Sequence, residues 1–148
     1  MKRHKQRMLL AAASVLVPLT LACGSGEGAQ AGQPVTGIDW RVDSLTAADG
    51  TTRHAPAVAR IRIGTDGMAT GNLGCNRFSA RATVAGDRIT IGDLRATKMA
   101  CAPARMDFER ALARTLTTGT LTARVDDGKL TLTDGDGDLV RLSRGAPE

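Results

Sequence analysis

Apolar and polar positions alternate along most of this chain. In Ile38-Asp39-Trp40-Arg41-Val42 the apolar side chains fall on every second residue. Val58-Ala59-Arg60-Ile61-Arg62-Ile63 repeats the pattern and stops at the turn Gly64-Thr65-Asp66-Gly67. Ala80-Arg81-Ala82-Thr83-Val84, a turn at Ala85-Gly86-Asp87, and Arg88-Ile89-Thr90-Ile91 read as a hairpin. A period of two sends neighbouring side chains to opposite faces, so each run predicts a strand with one apolar and one wet face. Three more strands follow, at 121–125, 129–133 and 139–142, separated by Asp126-Asp127-Gly128 and by Asp134-Gly135-Asp136-Gly137-Asp138.

One segment changes period. Phe108, Ala111, Leu112, Thr115 and Leu116 fall at i, i+3, i+4, i+7 and i+8, which is a helical stripe. Pro103 suits a first helical turn, where its missing N–H is not needed. The spacing predicts a helix over 103–116 with Arg105, Glu109, Arg110 and Arg114 on its outer faces. Several strands, one helix and three strands predict an α+β fold. The expectation is a single small domain: a curved antiparallel β-sheet, a partial barrel, with one helix packed across it.

The N-terminus follows another rule. Four of the first seven residues are Lys or Arg, and residues 8–22 then carry no charge. Those 15 apolar-rich residues are fewer than the ~20 that span a bilayer as a helix. A basic start, a short apolar run and a small residue describe an export signal. Leu19-Thr20-Leu21-Ala22-Cys23 resembles a lipobox, the bacterial sequence whose cysteine is acylated, although Thr20 stands where Leu is commonest; an ordinary signal peptide with a chance cysteine is the alternative. On the lipobox reading Cys23 is the lipidation site, since two acyl chains hold a protein on a membrane where one is marginal. The run from Gly24 to Pro34 is Gly-rich and polar, the composition of a tether. The expected organisation is a lipoprotein signal peptide at 1–22, a tether at 23–36, one domain at 37–144 and a tail at 145–148. The expected location is extracytoplasmic, lipid-anchored to the cell membrane.

Charge and composition narrow the chemistry. Removing residues 1–22 takes four of the 20 Lys+Arg and none of the 15 Asp+Glu, leaving 16 against 15. With no Tyr, one Trp and two Phe, the domain lacks both the charge and the stacking residues of a nucleic-acid binder. Asp134, Asp136 and Asp138 have the opening spacing of a calcium loop, but the twelfth position is Gly145 instead of the bidentate acid. His54 lies alone in the polar stretch Thr51-Thr52-Arg53-His54, short of a zinc set or a catalytic triad. No phosphate loop or dinucleotide motif occurs. No catalytic residue, metal ligand or cofactor is assigned.

Two motifs carry a family resemblance. Gly71-Asn72-Leu73-Gly74-Cys75-Asn76-Arg77-Phe78-Ser79-Ala80 resembles the first signature of META domains, also called HslJ-like domains, with Ala80 in place of the usual glycine. Thr97-Lys98-Met99-Ala100-Cys101 resembles their second signature. Met106, Glu109 and Leu116 match the family's helix pattern, Leu130-Thr131-Leu132-Thr133-Asp134 its C-terminal motif, and Trp40 its opening tryptophan. The resemblance implies a curved sheet with a helix, paired cysteines and frequent export or lipid anchoring. Some members are linked to heat shock, antibiotic tolerance, motility or virulence, with a largely undefined biochemical role. With Cys23 acylated, Cys75 and Cys101 are left as an even pair in an oxidising compartment; a disulfide between them is the expectation, and a redox or nucleophilic thiol the alternative. Closing that loop is worth about 3.5 kcal/mol on the chain-entropy model.

Asn76 and Arg77 are the candidate binding residues. They would either present hydrogen bonds to a ligand or serve turn chemistry, in which Asn satisfies local N–H groups and Arg is solvated. The functional expectation is a non-catalytic binding or envelope-stress role. Its partners would be the membrane, through Cys23, and envelope proteins. The alternative is a chaperone or pilot-like module holding an apolar peptide or acyl chain in a groove of Val, Ile and Leu on the concave face. A hydrolase or redox enzyme ranks behind both.

Overall fold

A computed structural model describes residues 34–146. The export signal, Cys23 and most of the tether lie outside the described residues. Among the described residues, nine strands and one helix follow in chain order. They are β1 (Asp39–Thr46), β2 (Thr52–His54), β3 (Arg60–Ile63), β4 (Met68–Asn72), β5 (Arg77–Ala85), β6 (Arg88–Ala96), α1 (Pro103–Thr117), β7 (Thr120–Asp126), β8 (Lys129–Thr133) and β9 (Leu139–Arg144). The alternating runs all become strands, and the 3.6-residue stripe becomes α1. Two strands were not anticipated. β4 reads Met-Ala-Thr-Gly-Asn, with little apolar signal, and β2 is a three-residue exposed strand that takes in His54.

The sheet closes, which corrects the partial barrel expected from sequence. Neighbouring strands pair antiparallel in the order β1-β3-β4-β5-β6-β7-β8-β9, and β9 pairs back onto β1. Eight strands therefore form a barrel, with β2 added beside the second half of β1. Closure leaves neither end strand with a long row of unpaired N–H and C=O groups. Two register shifts help the strands bend. One places an extra residue, Asp43, on β1 between the Val42–Leu142 and Ser44–Arg141 pairs. The other lies on β6, opposite Ala80, where Asp93 has φ 52°. Such bulges increase local twist and turn a strand round a barrel corner.

The pleat sorts the residues. Ile61, Ile63, Ile89, Ile91, Leu121, Leu130 and Leu132 point inward and are at most 2 % exposed, around Trp40 at 0 %. The Trp40 indole N–H donates to the Val35 carbonyl at 2.9 Å, so its one polar atom is satisfied. Arg60, Arg62, Arg77, Arg81, Thr83, Arg88 and Thr90 point outward. Charged outside and apolar inside is the reverse of a membrane-spanning barrel.

Helix α1 lies at the barrel end that carries the β4–β5 and β8–β9 loops. Phe108, Ala111, Leu112 and Leu116 pack into the core. At its first turn the Arg105 Nε–H donates to the Gly74 carbonyl at 2.8 Å, and near its last turn the Thr115 hydroxyl donates to Asp138 at 3.3 Å. Glu109 corrects the expectation that it lines an outer face. It is 8 % exposed and points at the β4–β5 loop.

Candidate functional site

The two signature motifs meet beneath α1. The chain leaves β4, turns at residues 73–76 and enters β5. Gly71 allows β4 to lie against β3, because a Cβ there would stand 2.0 Å from the Arg60 carbonyl oxygen at φ +156°. Gly74 (φ +125°) leaves room for the Phe108 ring, 3.2 Å from where a Cβ would sit. The turn thus runs close under the helix and exposes two backbone N–H groups to it. Glu109 accepts both: Oε2 takes the Cys75 N–H at 3.1 Å and the Asn76 N–H at 2.6 Å.

Asn76 completes the node. Its amide NH₂ donates to Glu109 Oε1 at 2.7 Å and to the Met99 carbonyl at 3.2 Å. Its Oδ1 accepts the Thr97 hydroxyl at 2.8 Å and the Met99 N–H at 2.7 Å. Two residues beyond Met99, Cys101 is joined to Cys75. The side chain of Asn76, 2 % exposed, therefore stitches the first motif to the second, and the disulfide closes the same join. Burying a carboxylate is costly unless hydrogen bonds replace its water shell, and here three do. The helix-pattern glutamate was a visible signal, but helical periodicity alone places Glu109 among solvated charges.

The pair treated together in the sequence separates. Asn76 turns inward and its donors and acceptors are used within the domain, so it is not presented to a ligand. Arg77 begins β5 and points outward. Two shallow depressions lie on that outer surface. One is lined by Arg77, Phe78, Ser79, Arg95, Ala96 and Thr97, the other by Met68, Ser79, Ala80, Arg81, Asp93 and Arg95. Neither is a groove of Val, Ile and Leu. The barrel interior is filled by those residues, which weighs against the acyl-chain or peptide cradle.

The remaining candidates sit apart. His54 is exposed on β2. Asp134, 8 % exposed, bends the β8–β9 loop by accepting the Asp136 and Asp138 N–H groups, each at 2.9 Å. Asp138 instead accepts the Ala48 N–H at 2.9 Å and the Thr115 hydroxyl. The calcium-like spacing is thus a loop in which Asp134 and Asp138 hold backbone N–H groups. Among the described residues no three His, Cys, Asp or Glu side chains gather as a metal set. Among the described residues, the one carboxyl with a clear shift is Asp49 in the β1–β2 turn, held below its ordinary value by the Thr51 N–H and then by the Thr51 hydroxyl.

The family model described as META domain matches residues 33–146. The chain belongs to the META domain family. Among solved structures, this META domain resembles an NMR structure of a protein from Burkholderia xenovorans at 23 % identity and TM-score 0.65. That match covers 76 % of this chain and 85 % of that one. It also resembles the crystal structure of a DUF4847 family protein from Bacteroides vulgatus, at 12 % identity and TM-score 0.55, covering 77 % and 96 %. At such identities the likeness is one of fold. No curated protein matches. For the META domain, the Glu109–Asn76 node accounts physically for the two signature motifs: they are the two halves of one buried join.

Proposed function

We propose that this META domain is an extracytoplasmic lipoprotein, held on the cell membrane by acylated Cys23, with a non-catalytic binding role in the envelope. The Cys75–Cys101 disulfide carries the reading, because such bonds persist where the surroundings are oxidising. The pattern of basic start, apolar run and lipobox-like residues supplies the route there. Binding falls to the outer surface, since the apolar interior is occupied by its own side chains. A supporting role under envelope stress agrees with the family's associations.

Radiolabelled palmitate tests the anchor: wild type should incorporate label and Cys23→Ala should not, and equal labelling refutes it. Mass spectrometry of native material under alkylation should find no free thiol, whereas two alkylated cysteines would remove the oxidising compartment.

A further inference from the structure

The outer surface of β3–β6 holds a concentration of arginine, only part of which is bridged within the fold. Cross-strand register sets it out as a grid. Arg60 pairs with Asn72 and Asn72 with Arg77, forming one row. Arg62 pairs with Thr70, Thr70 with Ser79 and Ser79 with Arg95, forming the next. Met68 and Arg81 stand opposite each other in a third. Strands lie about 4.8 Å apart, so outward side chains on neighbouring strands stand side by side along this sector of the barrel, Arg77 next to Arg95 in one depression. Arg62 is bridged to Asp39 at 2.9 Å and Arg81 to Asp93 at 3.4 Å. Among the described residues no carboxylate lies within salt-bridge distance of Arg60, Arg77 or Arg95. Met68, 38 % exposed, offers an apolar side chain at the margin.

The rest of the barrel is charged the other way. Residues 60–96 contain six Arg and three Asp, whereas residues 120–146 contain four Lys+Arg and five Asp. The molecule therefore has a basic side. The chain also enters the fold beside it, because the Gly37 N–H donates to the Ile63 carbonyl at the end of β3, at 2.8 Å. A Gly-rich sequence as long as that joining Cys23 to the barrel spans about 20 Å as a random coil. An anchor at Cys23 would hold this side within reach of the bilayer.

We infer that the arginine face of β3–β6, centred on Arg60, Arg77 and Arg95, docks on the phosphate headgroups of an anionic phospholipid surface. The guanidinium fork suits phosphate oxygens, and Ser79 adds a hydroxyl donor between the arginines. The orientation rests on the anchored reading, but the contact is a property of the barrel itself. It is therefore tested without acylation, so that failure here and failure of palmitate labelling remain separate results.

The test takes residues 23–148 with Cys23→Ser, which keeps the whole matched domain, and measures co-sedimentation with vesicles of phosphatidylcholine with and without phosphatidylglycerol. Binding should require phosphatidylglycerol and weaken with salt. An arginine near such a surface is worth about fivefold in affinity, so R60Q/R77Q/R95Q should bind roughly a hundredfold more weakly. R124Q/K129Q/R141Q removes the same charge from β7–β9 and should stay within a few-fold of the parent. Thermal unfolding of each variant confirms that the barrel is intact. Equal loss in both triple variants would show unlocalised charge and overturn the proposal, as would absence of binding by the parent. Displacement by free glycerol phosphate would reveal a site for a soluble phosphate ester, and would overturn it too.

Discussion

Replacing Glu109 by Ala tests the buried join most directly. The carboxylate accepts from Cys75 N–H, Asn76 N–H and the Asn76 amide at 3.1, 2.6 and 2.7 Å. The Asn76 amide keeps its second acceptor, the Met99 carbonyl. The two backbone N–H groups keep none. An unsatisfied buried donor costs about 1–3 kcal/mol, so the variant should lose about 4 kcal/mol in all. For a domain of this size that is roughly 15 °C in Tm. Trp40 is the chain's one tryptophan and is fully buried, so the red shift of its emission follows barrel unfolding in urea. The midpoint should fall with the slope unchanged. Glu109→Gln can keep an oxygen on both backbone N–H groups but turns an NH₂ toward the Asn76 amide, and should lose about half as much. Asn76→Ala combined with Glu109→Ala should cost clearly less than the two changes summed, because both dismantle one network. A loss below about 1 kcal/mol for Glu109→Ala would mean that the loop satisfies its N–H groups another way, and the reasoning would fail.

Three further outcomes are expected. Cys75→Ser/Cys101→Ser should unfold about 3.5 kcal/mol more easily than the oxidised parent, measured by urea denaturation; an unchanged midpoint would show that the remaining join already fixes the loop. Gly71→Ala should cost about 3 kcal/mol, because its Cβ would meet the Arg60 carbonyl and its φ is unfavourable for a side chain, and a neutral effect on Tm would contradict the β3–β4 spacing. Asp49 has a lowered folded pKa, so its stabilisation of the β1–β2 turn is complete above the ordinary carboxylate pKa and is lost as pH falls below it through the folded value. NMR titration should place its carboxyl below the ordinary range, with protection of the Thr51 amide lost over the same window; titration at or above that range would count against the Thr51 contacts.

The strands and the helix were legible because burial imposes a period. Ile61 with Ile63, Ile89 with Ile91, and Leu130 with Leu132 carry the two-residue rhythm, and Phe108 through Leu116 the helical one. Closure was not legible, since alternation is identical in an open and a closed sheet and the β1–β9 pairing joins residues about a hundred apart in sequence. β4 escaped because Gly71 serves the close approach of β3, not strand propensity. At the candidate site, Cys75 and Cys101 could be read as a pair. Asn76 could not be separated from Arg77, because adjacent residues at the start of a strand point opposite ways and neither residue type says which is inward. Glu109 was obscured by chemistry: a glutamate on a helix is usually solvated, and only the loop that Gly74 brings under α1 makes this one a backbone ligand.

The seam between β1 and β9 also fixes when the domain can exist. The strand nearest the N-terminus pairs with the one nearest the C-terminus, so a chain still emerging from a ribosome or a translocation channel cannot complete the barrel. If the chain is exported as proposed, it would cross with the barrel unclosed and acquire its shape once the final strand is released on the far side.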